Sequence, residues 1–166
     1  MAKKVPDFEL LKRFYKGDGW TAEKVKAAVG GDVNSADVDN TCVVRLSEPL
    51  NAAGHIIPVW TEAFRTRQGT DKRWYGLRVA EFWTWLTTNY GKPTITGKTP
   101  LVRKKFETYQ GIIGFRVSHF VGATGHFTLW DGYDLLYGGR DHDYFAIADE
   151  AALWQAGDVR VYQADI

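Results

Sequence analysis

The apolar positions of the N-terminal half recur at helical spacing. Residues 7–15 place Phe8, Leu11 and Tyr15 on one face behind Asp7, a cap-type residue, and Lys16-Gly-Asp-Gly stops the run. Thr21-Ala-Glu-Lys has capping form and opens a second helix with Val25 and Val29 on one side, closed by Gly30-Gly31. Asn40 or Thr41 caps a third helix whose buried face is Val43, Leu46 and Leu50, and Pro49 is predicted to kink or end it. Asn51 to Pro58 reads as loop and residues 59–74 as irregular. From Tyr75 to Asn89, the spacing of Leu77, Val79, Phe82, Trp83, Trp85 and Leu86 predicts a well-buried helix, broken at Gly91-Lys-Pro-Thr.

Beyond residue 109 the period changes. Gly111 to His119 reads as a strand, and Gly125-His-Phe-Thr-Leu-Trp alternates as a second. Asp131-Gly132 is a turn signal before a further strand at Tyr133–Tyr137. Gly138 to Asp143 is loop, Glu150–Gln155 reads as a short helix, and Val159–Gln163 alternates as a last strand. Helices first and an antiparallel sheet afterwards define an α+β chain. Its 166 residues show no repeat and fit one domain spanning 1–166.

Composition narrows the function classes. Twenty-one Lys and Arg against 20 Asp and Glu give a net charge of +1, without the basic excess of a nucleic-acid binder. No apolar run is long enough to span a membrane. The start, Met-Ala-Lys-Lys-Val-Pro-Asp, leads into no apolar stretch of signal-peptide type, so the expectation is synthesis in the cytoplasm and export, if any, by another route. One Cys excludes an intrachain disulfide and multi-thiolate zinc. Asp141, His142 and Asp143 are adjacent and point apart, so neither a metal nor a cofactor is expected. Aromatic residues reach 14%, enough to fill a core and also to line a cleft.

The candidate chemistry is a thiol. A lone Cys is ordinarily a small buried hydrophobe. Cys42, however, follows Asn40-Thr41 in the first turn of a predicted helix. There, free N–H groups and the helix dipole stabilise a thiolate and lower the thiol pKa, and the same groups can hold an oxyanion. The base must be His55, His119, His126 or His142. His126 opens an alternating strand, sharing a face with Thr128 and Trp130, and a His there, packed on the Cys helix, is the arrangement cysteine hydrolases use. His55 lies in the loop after the Cys helix. His119 reads as a core or rim position of its strand, and His142 as solvated loop.

Asn40-Thr-Cys-Val-Val-Arg-Leu-Ser, followed by Leu50-Asn-Ala-Ala-Gly-His-Ile, resembles the nucleophile segment of the family-four amidase effectors of type VI secretion. Gly122-Ala-Thr-Gly-His-Phe-Thr-Leu-Trp-Asp-Gly resembles that family's histidine strand, and Asp141-His-x-Tyr its third-residue segment. The resemblance implies a papain-like NlpC/P60 core, with N-terminal helices packed on a C-terminal antiparallel sheet. It implies Cys42 as nucleophile, His126 as general base and Asp141 as third residue. Asp134 and Asp143 stay open as alternatives, because the chain carries extra residues at Leu135–Gly139. Pro49 and His119 depart from the family pattern.

The activity implied is hydrolysis of the γ-D-glutamyl–meso-diaminopimelate bond of peptidoglycan stem peptides. The implied oxyanion donor is the Cys42 backbone N–H with a second group. The implied partners are the type VI machinery, which delivers the effector into the periplasm of a target bacterium, and a cognate immunity protein. Two rival readings stand beside this one. One is another papain-fold thiol acyltransferase or deamidase toxin. The other is a wall-binding module with Trp74, Tyr75, Trp83, Trp85 and Trp130 as a stacking platform, although Trp83 and Trp85 read first as core. An inactive relative kept for partner binding is a third possibility.

Overall fold

A computed structural model describes residues 2–119 and 124–157. Helices α1 (Phe8–Arg13), α2 (Ala22–Val29) and α3 (Cys42–Ala52) precede a small hairpin of β1 (Thr66–Gln68) and β2 (Trp74–Gly76). Helix α4 (Val79–Tyr90) follows, and then β3 (Ile95–Lys98), β4 (Gly111–Arg116), β5 (Gly125–Trp130), the one-turn α5 (Tyr144–Ile147) and β6 (Glu150–Gln155). The last four strands form one antiparallel sheet in the order β3-β6-β4-β5.

The sheet is apolar on both faces. Ile112, Phe127, Leu129, Ala152 and Trp154 pack with Leu46, Leu50, Phe82, Trp83 and Leu86 of the helical layer. On the other face, Ile113, Phe115, Trp130 and Leu153 meet Phe106, Tyr144 and Phe145. Gly114 makes room for this packing, since a Cβ there would lie 2.4 Å from the Phe127 ring. Against the helical layer, Phe127 contacts Phe82 and Trp83 edge-on.

Local chemistry starts the helices as expected. Thr21 Oγ1 accepts the Lys24 N–H, and Asn40 Oδ1 accepts the Cys42 N–H, so each helix start has a side-chain acceptor for an orphan donor. Asp7 precedes α1 without a side-chain cap.

Five expectations need correction. Pro49 does not end α3, which runs on to Ala52. Only one further turn follows the missing N–H, and the Ala53 N–H closes it onto Pro49 O. Part of 59–74 is the β1–β2 hairpin rather than irregular chain. Tyr133–Tyr137 joins β5 through a single bridge, Trp130 to Leu135, instead of forming a strand. Glu150–Gln155 is a strand hydrogen-bonded on both sides, to β3 and β4. Its Ala-Ala-Leu-Trp run is buried on both faces and has no alternation to distinguish it from a helix. His119 lies beyond the end of β4 and is exposed. The strand expected at Val159–Gln163 lies outside the described residues.

The aromatics of the supposed platform are mostly core. Tyr75, Trp83 and Trp130 are buried, and Trp74 and Trp85 pack against the main core. No helix among the described residues is long and apolar enough to cross a membrane.

Candidate active site

Strand β5 is one edge of the sheet, and α3 packs against it. The outward backbone groups of an edge strand need partners. Leu129 O accepts the Leu136 N–H, while the Phe127 N–H is directed at the Cys42 sulfur. The first residue of α3 is thereby held beside the residue that follows His126.

Cys42 is 0% exposed and His126 5%. Tyr15, Tyr137 and Tyr144 complete the enclosure. Burial raises the hydroxyls of Tyr15 and Tyr144, with the Cys42 and Tyr137 charges adding to it. The Tyr144 ring stacks on His126 with centroids 4.4 Å apart and planes 6° apart.

The His126 tautomer follows from its partner. Nε2 lies 2.8 Å from Tyr137 O. A carbonyl only accepts, so Nε2 carries the proton and the neutral ring keeps its basic lone pair on Nδ1. Burial pulls the imidazole down to about 4, against the upward pull of the Tyr137 hydrogen bond; the Arg45 and His142 charges lower it further and Asp18 raises it.

The low thiol pKa expected from the helix start does not hold. Burial pushes Cys42 up to about 11, outweighing the Phe127 and Val43 N–H groups, the Asn40 side chain and Arg45, which all pull it down. With burial pushing the thiol up and the imidazole down, moving the proton from one to the other is unfavourable in this closed state. The resting pair is therefore neutral, and no hydrogen bond joins its members among the described contacts. Such bonds commonly tighten only when substrate binds.

Arg45, one turn after Cys42, is a cation buried to 1% exposure. Its Nε donates to Thr41 Oγ1 at 3.0 Å, and Nη1 donates to the carbonyls of Lys16 and Gly17 at 3.0 and 2.9 Å. The guanidinium lies 3.5 Å from the centroid of the Tyr137 ring, close enough for cation–π attraction. Nη2 has no partner among the described residues.

The other sequence candidates sit elsewhere. His55 lies beyond the far end of α3, about 15 Å along the helix from Cys42, with Nδ1 2.7 Å from Tyr90 Oη. His142 is exposed, and its ring meets the edge of Tyr144. Asp141, Asp134 and Asp143 are all exposed, and none is hydrogen-bonded to His126. Asp141 returns its N–H to Gly138 O, and Asp134 faces Arg103. Asp143 precedes α5. Arg45, Tyr137, Gly138, Tyr144 and Asp18 were missed. Arg45 left a signal, a charge within one turn of the Cys, and Tyr144 stands in the Asp141-His-x-Tyr segment. Among the described residues no group of three or more His, Cys, Asp or Glu could hold a metal ion.

An α+β domain with a cysteine at a buried helix start and a histidine on the adjoining antiparallel strand has the papain-like layout, and solved structures agree with it. Residues 38–154 match the family described as type VI secretion system (T6SS), amidase effector protein 4, or Tae4. The chain belongs to this family. A structure of the type VI effector Tae4 from Enterobacter cloacae is 30% identical, with a TM-score of 0.82, over 95% of this chain and 100% of that one. The same effector in its Tae4–Tai4 effector–immunity complex gives 29% identity and a TM-score of 0.79, over 92% and 99%. The Tae4–Tai4 complex from Salmonella Typhimurium shares the fold at 24% identity, with a TM-score of 0.82 over 93% and 100%. A comparison with curated protein sequences finds no match.

Proposed function

We propose that the protein is a peptidoglycan amidase that cuts the γ-D-glutamyl–meso-diaminopimelate bond of stem peptides through Cys42 and His126. On this reading it acts as an antibacterial effector in the periplasm of a target cell after type VI delivery, and a cognate immunity protein neutralises it in the producer. The observation that carries the reading is the site itself: a buried thiol on the α3 start whose sulfur meets the Phe127 N–H, and, one residue before Phe127, the His126 imidazole, whose Nε2–H is fixed on Tyr137 O.

The mechanism follows from that tautomer. As the thiol attacks, His126 Nδ1 takes its proton and the sulfur bonds to the γ-carbonyl carbon. Collapse of the tetrahedral intermediate breaks the C–N bond, and His126 returns the proton to the departing diaminopimelate amine. Water, activated by the same Nδ1, then hydrolyses the thioester and restores the thiol. Proton transfer coupled to attack avoids the separated ion pair, which the dry site penalises.

The oxyanion needs donors aimed near the sulfur. The Cys42 N–H is already given to Asn40 Oδ1 at 3.0 Å. The Phe127 and Val43 N–H groups and the Asn40 amide also interact with the sulfur and are the nearer candidates. Because Cys42 is fully buried, substrate reaches the sulfur only after its surroundings shift. Asp141, the third residue implied by the family resemblance, is exposed, and its charge acts on Tyr144.

Digestion of purified Gram-negative peptidoglycan, read by chromatography and mass spectrometry, tests the proposal. The wild type is expected to generate stems ending at D-glutamate, and Cys42→Ala none. An unchanged wild-type profile would rule out this substrate.

A further inference from the structure

We infer that Asp18 is the carboxylate serving His126, and that it acts through one intervening peptide group. The inference rests on the proposed thiol mechanism for its catalytic consequence, but the arrangement is geometric. Tyr137 O, which accepts the His126 Nε2–H at 2.8 Å, and the Gly138 N–H belong to the same peptide unit. That N–H donates to Asp18 Oδ1 at 2.9 Å. The line therefore runs from carboxylate to amide to imidazole without a break. A negative charge on the N–H side of an amide polarises it and makes its carbonyl a stronger acceptor. The carbonyl then steadies the imidazolium that forms when Cys42 gives up its proton.

The surroundings hold this line in register. The Asp18 N–H donates to Leu136 O at 2.9 Å, so Asp18 grips the chain on both sides of Tyr137. Arg45 holds the preceding carbonyls of Lys16 and Gly17 and covers the Tyr137 ring. The Tyr137 N–H donates to Thr128 Oγ1, which also meets Tyr15 Oη. Gly138 has φ +89°, and a Cβ there would lie 2.6 Å from His126 Nε2. Only glycine fits between the ring and the carboxylate. Asp18 is one-fifth exposed, with Arg140 3.6 Å from its other oxygen. The groups around His126 are Cys42 and Arg45 from α3, Tyr144 from α5, Tyr137 and His142 from the loop, and Asp18 from the α1–α2 connection. Of these, Asp18 is the carboxylate whose charge favours the protonated ring.

Asp18 is thus a positioning residue. Asp18→Asn tests it, because the amide oxygen still accepts the Gly138 N–H while the charge is lost. On a stem tripeptide, kcat is expected to fall about 10- to 100-fold with KM unchanged. That is less than the ~10⁴-fold loss for a carboxylate bonded directly to the ring. The second measurement is the NMR shift of the His126 Nε2 proton. It is expected to move upfield in Asp18→Asn and to stay in place in Asp141→Asn. Wild-type kcat and an unmoved Nε2 proton in Asp18→Asn, or a proton that follows Asp141 instead, would overturn the inference. If the wild type cleaves no stem peptide, the amidase reading fails while the two NMR arms still decide the relay.

Discussion

Cys42 shows how far one residue's surroundings can reverse what its position favours. A thiol at a helix start is an ordinary route to a thiolate, and Phe127, Val43, Asn40 and Arg45 all push that way. Complete burial outweighs them. The expected consequence is a sluggish thiol. At pH 7, alkylation of native Cys42 by iodoacetamide should run orders of magnitude slower than in the denatured chain, as intact-protein mass spectrometry would show. Rapid native labelling would mean that the thiol is open or ionised. The sequence made Cys42 and His126 legible because each stands at an element start in a specific motif. It could not show the burial, to which two distant segments contribute, one with Tyr15 and one with Tyr137 and Tyr144. Nor could it show Asp18, which is 108 positions from His126 and carries no motif.

Among the elements, the loop from Leu135 to Asp143 carries the most consequence for the least regular structure. It supplies the carbonyl that orients His126, and it is tied both to β5 and to the α1–α2 connection. Gly138→Ala should displace the His126 ring, lowering kcat by about 100-fold for a misplacement near 1 Å. Steady-state kinetics with a melting curve would check this, and a variant with wild-type kcat would contradict the packing at Gly138. The helices were readable from period and caps, since the apolar stripes of α2, α3 and α4 face the core. Strand β6 was not, because a central strand buried on both faces loses the alternation that marks an exposed-face strand. The extra residues at 135–139 likewise obscured which carboxylate serves the site.

Across the whole molecule, the same two buried groups set the pH range of stability. The folded His126 is held at about 4 against an ordinary 6.5. Between those values the unfolded chain takes up the proton first, so stability falls as pH drops, by up to about 3 kcal/mol. The folded Cys42 is held at about 11 against 9.0. There the unfolded chain loses its proton first, so stability falls as pH rises from 9, again by up to about 3 kcal/mol. Denaturation midpoints should therefore be flat between about pH 6.5 and 9. Cys42→Ala should make the decline between pH 9 and 10 shallower, leaving the part due to Tyr15, Tyr75, Tyr90 and Tyr144, whose hydroxyls burial also raises. A wild-type curve that keeps rising beyond pH 9 would contradict the neutral resting thiol.

The central claim is that Cys42 and His126 together cut the γ-glutamyl bond. The most direct measurement is hydrolysis of synthetic L-Ala-γ-D-Glu-meso-diaminopimelate by the wild type, Cys42→Ala and His126→Ala, with products identified by mass. The account predicts L-Ala-D-Glu and free diaminopimelate from the wild type, and background rates from both variants. Cleavage by either variant at the wild-type rate, or scission at another bond, would contradict it.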